Sequence, residues 1–199
     1  EHPQFPYSLG PYVIASDPPA SRPGDVLRAF DHRLGRNVWI IVQPADAPAT
    51  PAARRDMSRE TRLRWLHGRR AAELSWDTYE APEGMPLFSG DAAEVSWVVA
   101  RRWLMELATE IRQVLDEDGD VGVLAPERVW VTTGGKVVLL DFVPAGVSSP
   151  TWNQADESFS GHDERVILHS FLSRVARRAL LGTSDPEPGS ARVPELLMP

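Results

Sequence analysis

Val129-Trp130-Val131-Thr132-Thr133-Gly134-Gly135-Lys136-Val137-Val138-Leu139-Leu140-Asp141-Phe142 is the stretch on which the reading of this chain turns. Two short apolar runs, Val129 to Thr132 and Val137 to Leu140, flank Thr133-Gly134-Gly135, and a glycine-rich turn between such runs predicts a hairpin. Upstream, Val95, Val99, Leu104, Leu107, Ala108, Ile111, Val114 and Leu115 keep helical spacing up to the acidic stretch Asp116 to Asp120. Asp91 with Glu94 three residues on is the pattern of a capping box, which predicts that this long helix starts there. Downstream, residues 146–161 are polar and irregular. A second amphipathic helix is expected over Val166 to Leu181, through Ile167, Phe171, Leu172, Val175, Ala179 and Leu180. The tail from Gly182 is rich in Pro, Gly and Ser and is expected to be loosely held.

The first third reads as strands. Tyr12 to Ala15 follows Gly10-Pro11, and Asp25 to Asp31 follows the proline-rich stretch Ser16 to Gly24. Val38-Trp39-Ile40-Ile41-Val42 is apolar throughout, as in a strand covered on both faces. Together they predict an antiparallel meander. After the Pro/Ala-rich connector Pro44 to Pro51, a helix is predicted over Arg54 to Arg70, with Met57, Leu63 and Leu66 as its thin apolar stripe. Leu74 to Tyr79 and Met85 to Phe88 flank Pro82-Glu83-Gly84, which predicts a further hairpin.

The whole chain, 199 residues and 42% hydrophobic, suffices for one domain of two small lobes. A formal charge of -7 argues against non-specific nucleic-acid binding, which needs a basic face. The absence of cysteine excludes thiol catalysis, disulfides and thiolate zinc sites. No apolar run approaches the roughly 18 residues of a membrane span. The chain starts at Glu1 without Met, which is expected of a piece of a longer protein whose anchor or other domains lie elsewhere.

The order of meander, helix, hairpin, long helix, hairpin ending in Leu-Leu-Asp-Phe, loop and helix resembles a bacterial-type Ser/Thr protein kinase domain. Gly24-Asp25-Val26 looks like the end of the glycine-rich loop, and Asn37 to Ile41 sits where V-A-I-K would be. Arg59-Glu60 falls where the first helix supplies its glutamate, and Asp141-Phe142 is similar to the start of D-F-G. The resemblance spans residues 8–181. It implies an α+β two-lobed fold: 8–90 an N-lobe of antiparallel sheet plus one helix, 91–181 a reduced, mainly helical C-lobe, 182–199 a tail.

Phosphoryl transfer in this family needs a loop over the phosphates, a strand lysine, two metal ligands and a base. Of the loop only Gly24 persists, and Pro18, Pro19 and Pro23 remove backbone N–H groups that would cradle phosphates. Ile41 stands in place of the lysine. Residues two apart on a strand share a face, so Trp39 is expected beside it, filling the purine pocket from within. Val123 replaces the base and cannot accept a proton, and Arg128 replaces the metal-holding asparagine. An Arg128–Asp141 ion pair is therefore expected, the guanidinium standing in for a metal. Glu60, without its lysine, reads as a solvated helix residue. Asp163 resembles the aspartate that braces the catalytic loop, and serves equally as a helix N-cap.

His2, His32, His67, His162 and His169 lack metal-ligand spacing, and Ser158, Ser160, His162 and Asp163 lie too close in sequence to form a triad. Among seven tryptophans, Trp39, Trp97, Trp103 and Trp130 are expected in the core, while Trp65, Trp76 and Trp152 are candidate partner anchors. The expectation is a pseudokinase acting as a protein-binding scaffold or regulatory domain, cytoplasmic or the cytoplasmic part of a membrane protein. No ATP, magnesium or nucleic acid and no direct membrane contact are expected. Two rivals are a degenerate ATP sensor and an atypical transferase built on Glu60, Glu127 and Asp141.

Overall fold

Strand register explains why the run Val38 to Val42 is apolar at every position. In the computed structural model, which describes residues 8–14, 22–89, 94–117, 124–144 and 164–182, this run lies in β4, Arg36–Gln43. It is preceded by β1 (Ser8–Leu9), β2 (Tyr12–Ile14) and β3 (Val26–Asp31), and the predicted meander forms antiparallel throughout. With β5 (Trp65–Arg69) and β6 (Ser75–Glu80) these make a six-stranded sheet of order β1-β2-β3-β4-β6-β5. Val38, Ile40 and Val42 pack on one face with Tyr12, Ile14, Leu27, Ala29 and Trp76. All of these belong to the sheet, which curls until the Tyr12 and Trp76 rings meet edge to face at 5.9 Å. Trp39 and Ile41 point the other way, as period-two alternation requires, into a second cluster with Leu63, Tyr79, Trp130, Val138, Leu140 and Phe142.

The remaining elements form a second layer. β7 (Gly84–Pro86), β8 (Val129–Thr132) and β9 (Val137–Leu139) make a three-stranded antiparallel sheet. The predicted β8–β9 hairpin is present, with Gly135 at φ 72° closing its turn by a 2.8 Å bond from its N–H to the Thr132 carbonyl. Trp103 Nε1 donates to the Gly135 carbonyl at 2.9 Å and fastens this turn to α2, Trp97–Asp116. α3, Glu164–Leu181, packs on α2, and Leu107, Ile111, Val129, Leu139, Phe171 and Val175 are core of this layer.

Four expectations fail here for identifiable reasons. The helix predicted over Arg54 to Arg70 is a single turn, α1, Ala52–Arg55; the chain then runs out along β9, where the Leu139 N–H donates to the Thr61 carbonyl at 2.9 Å. It ends in strand β5. Interior Gly68 disfavours a helix by about 1 kcal/mol, and the extended path brings Arg59 and Arg62 to buried acceptors, as described below. The predicted β6–β7 hairpin does not form: β6 pairs with β4 and β5, and β7 with β8. Gly84 permits this switch of sheet, because a Cβ there would overlap the Val131 carbonyl oxygen. α2 begins at Trp97, with Glu94 outside it; Asp91 lies outside the described residues. Among the tryptophans, Trp76 is buried and Trp65 donates from Nε1 to Asp77 at 3.0 Å, so neither is a free anchor, whereas Trp97 is 39% exposed. Trp152 is outside the described residues.

Candidate functional site

The two layers meet across the cluster around Trp39. β4 delivers Trp39 from the six-stranded sheet and β8 delivers Trp130 from below; their rings meet edge to face at 4.9 Å. Phe142, just beyond β9, closes the third side at 5.6 Å from Trp39. Trp39 and Trp130 are each 3% exposed and Ile41 is buried beside them. Edge-to-face pairs at these distances add stability beyond their burial. The expected placement of Trp39 and Ile41 on one face, pointing between the layers, is what the structure has.

Asp141, next to Phe142, is held by cations from the chain itself. Arg54 Nε and Nη2 donate to Asp141 Oδ2 at 2.9 and 2.6 Å, and Arg62 Nη1 donates to Oδ1 at 3.0 Å. The expected pair with Arg128 is replaced by these two: Arg128 ends the turn of 3-10 helix Pro126–Arg128, where its carbonyl accepts the Leu140 N–H at 2.9 Å. The Arg54 guanidinium also lies 5.0 Å over the Tyr79 ring, a cation–π distance. Burial pushes the Tyr79 hydroxyl above its ordinary value, with Arg54 acting against it and Asp141 and Asp77 adding to it.

The arginines continue inward. Arg62 Nε donates to Glu110 Oε1 at 3.0 Å, as does Arg59 Nη1 at 3.0 Å, and Thr61 Oγ1 donates to Oε2 at 2.5 Å. Arg59 also bonds to Glu117. Glu110 sits on the buried face of α2, its side chain closed off from solvent. Burial alone would raise its pKa; the hydrogen bonds from Thr61 and Arg62, the Arg62 charge and the bond from Arg59 outweigh it and hold the carboxyl below its ordinary range. Three guanidiniums thus alternate with three carboxylates in one continuous chain of pairs, from Arg54 to Glu117. The sequence shows none of this pairing, because its partners lie about fifty to ninety residues apart.

The other candidates scatter. Gly24 opens the approach to β3 at φ 93°, its N–H donating to the Val42 carbonyl at 2.9 Å. Glu60 is exposed and not helical; Lys136 Nζ donates to it at 2.6 Å, which lowers its pKa. Glu127 is paired with Arg174 at 3.4 Å. Val123, Asp163, Ser158, Ser160, His162 and Pro18 to Pro19 fall outside the described residues. Beside Trp39 a cavity of about 340 Å³ remains, bounded by β3, β4, the connector 81–84 and Trp130.

An antiparallel curled sheet joined by a short connector to a mainly helical layer, with Asp-Phe at the end of a hairpin between them, is a protein-kinase-like architecture. No protein-family model matches the chain, and no curated protein matches it. Among solved structures it is similar to the Mycobacterium tuberculosis PknI kinase domain, at a TM-score of 0.60 and 13% identity over 96% of this chain and 82% of that one. It is also similar to Rad53 1-466 in complex with AMP-PNP, at a TM-score of 0.63 and 12% identity over 87% of this chain and 49% of that one, so it spans about half of that chain. The chain has an α+β protein-kinase-like fold with a reduced C-lobe.

Proposed function

We propose that this chain is a kinase-like domain that does not transfer phosphate and works by binding other protein surfaces, as a scaffold or regulatory module of a larger chain. The observation that carries this is the state of Asp141. The resemblance equates it with the aspartate that would hold magnesium, and here two guanidiniums occupy its oxygens at 2.6 to 3.0 Å. A divalent cation would have to displace both against their charge. The strand position that the resemblance gives to the family's lysine carries Ile41, and the Trp39, Trp130 and Phe142 rings pack against one another between the layers, which supports a nucleotide pocket reduced from within. Groups that act as one unit leave little rate when several are replaced together.

The cavity beside Trp39 favours one second reading, a nucleotide sensor without transferase activity. The transferase reading has less support, since Glu60, Glu127 and Asp141 each have separate cationic partners. The test is thermal unfolding with and without millimolar ATP, each with and without magnesium, together with a phosphotransfer assay on a generic protein substrate. A ligand at about 100 times its Kd stabilises by about 2.7 kcal/mol, worth several degrees in a domain of this size. No shift and no transfer are expected; a magnesium-dependent shift would favour the sensor, and labelled product would overturn the reading altogether. As to placement, no helix among the described residues is long and apolar enough to cross a membrane.

A further inference from the structure

Ser58 stands at the exposed start of the segment that carries Arg59 and Arg62 to their buried acceptors. Among all serines and threonines of the chain it alone has a cation three residues before it, Arg55, and Arg54 precedes that one. The two arginines are used differently. Arg54 is turned onto Asp141, whereas Arg55, the last residue of α1, is exposed, and its side chain makes no hydrogen bond or ion pair among the described residues. The Ser58 hydroxyl is likewise unpartnered there, and residues 57–59 belong to no helix or strand. α1 is a single turn whose cap, Pro51, supplies no side-chain hydrogen bond. So short a helix has little stability of its own, and the stretch from Arg55 to Ser58 opens at small cost. Other exposed serines differ: Ser96 caps α2 with Glu94 just upstream, and Ser170 lies inside α3 with Ile167 three residues before it.

We propose that Ser58 is a phosphorylation site for a Ser/Thr kinase whose substrate groove is acidic. Charge pattern around the acceptor is one means by which kinases select substrates, and the free Arg55 guanidinium offers such a groove charge-assisted hydrogen bonds. In the transfer, Ser58 Oγ bonds to the γ-phosphorus of ATP as the bond from that phosphorus to the β,γ-bridging oxygen breaks. ADP leaves, and the hydroxyl proton passes to the base of the modifying kinase. The product adds about 1.5 to 2 negative charges. Ser58 edges a cavity of about 290 Å³ shared with Arg64 and Lys136. Arg64 is exposed and makes no ion pair among the described residues, and Lys136 holds Glu60 in a well exposed pair of little worth. These two cations offset the carboxylates of Glu60 and Glu80 on the same lining, so the field there does not oppose the added phosphate. The modification goes beyond the proposed scaffold role and does not depend on it.

The test incubates the folded domain with magnesium, ATP and a purified Ser/Thr kinase selective for arginine three residues before the acceptor. Mass-spectrometric mapping reads the occupancy of every serine and threonine, with a peptide of residues 52–64 in a parallel reaction. Close to one phosphate per chain is expected, at Ser58, and none after Ser58→Ala. Arg55→Ala changes an exposed, unpaired side chain, and is expected to slow transfer to Ser58 about tenfold, the worth of a charge-assisted hydrogen bond. An unmodified Ser58 in the domain would overturn the proposal, and modification of the peptide alone would show that the fold withholds the serine. Equal rates in Arg55→Ala, or equal occupancy of Ser96 and Ser170, would overturn it too.

Discussion

Arg62 and Glu110 are bound to one another out of solvent: Nε donates to Oε1 at 3.0 Å, with the side chains 6% and 0% exposed. One comes from the extended segment laid along β9 and the other from the inner face of α2, so the pair ties the chain that follows α1 to the helical layer. Arg62 then reaches Asp141 with its free edge, and the same guanidinium serves the interior and the interface between layers.

Removing one member of a buried pair leaves the other charge without compensation. Arg62→Ala is therefore expected to destabilise the domain by about 3 kcal/mol, a fall in Tm of about 6–12 °C for a chain of this size. Arg112→Ala serves as the comparison, since Arg112 pairs with Asp116 at 3.8 Å with both side chains well exposed and such pairs contribute little. Urea unfolding of the two variants beside the parent checks this; equal midpoints would remove the network from any account of stability.

The same network sets an acid limb. The folded pKa of Glu110 is held below its unfolded value, near 4.5. Between the two values the unfolded chain binds more protons, so stability rises with pH through that window. The contribution is complete above the unfolded pKa and is lost as pH falls through the folded one. Glu110→Gln is expected to be less stable than the parent at neutral pH and to show a flatter stability profile from about pH 5 to pH 3. Denaturant midpoints at four or five pH values would show it, and parallel profiles would refute it.

Asp141 makes a different expectation, because its side chain is 32% exposed and Arg54 17%. Solvent screening reduces what the pair contributes, so Asp141→Asn is expected to cost only about 1 kcal/mol. It would change no response to magnesium. In an enzyme using this aspartate as a metal ligand the same substitution would abolish magnesium-dependent protection against heat. Differential scanning calorimetry with and without magnesium separates the two cases.

What the sequence made legible was what local pattern controls. Apolar runs separated by turns and prolines led to the meander, and the two-residue period of a strand placed Trp39 and Ile41 on one face; the Thr133-Gly134-Gly135 turn fixed the β8–β9 hairpin and thereby Asp141-Phe142. Long apolar periodicity found α2 and α3. The errors fall where distant partners overrule local pattern. Met57, Leu63 and Leu66 have helical spacing, yet Leu63 packs with Trp39 and Leu140 from an extended chain. Arg54 and Arg62 rather than Arg128 claim Asp141 because that extended chain passes it, and no spacing rule reports a path through space. The β6–β7 boundary failed for a related reason: Pro82-Glu83-Gly84 marks a turn in sequence, but whether a turn returns to the same sheet depends on what lies across from Gly84.

Trp39 allows the cleft itself to be tested. Its ring touches Trp130 and Phe142 and is 3% exposed, so Trp39→Ala removes a large core side chain and is expected to cost about 3–5 kcal/mol. It also opens space between the two layers, beside Trp130 and Phe142. If ring filling alone kept nucleotide out, the variant would gain an ATP-dependent rise in Tm. The geometry predicts no such gain, since Arg54 and Arg62 still hold Asp141 and Ile41 still supplies no charge. The decisive comparison is between Trp39→Ala and Trp39→Ala with Arg54→Ala, each heated with millimolar ATP and magnesium. A shift that appears only in the double variant would assign exclusion jointly to the indole and the guanidinium. A shift in the single variant would assign it to Trp39 alone, and would leave the Asp141 pairs without a part in it.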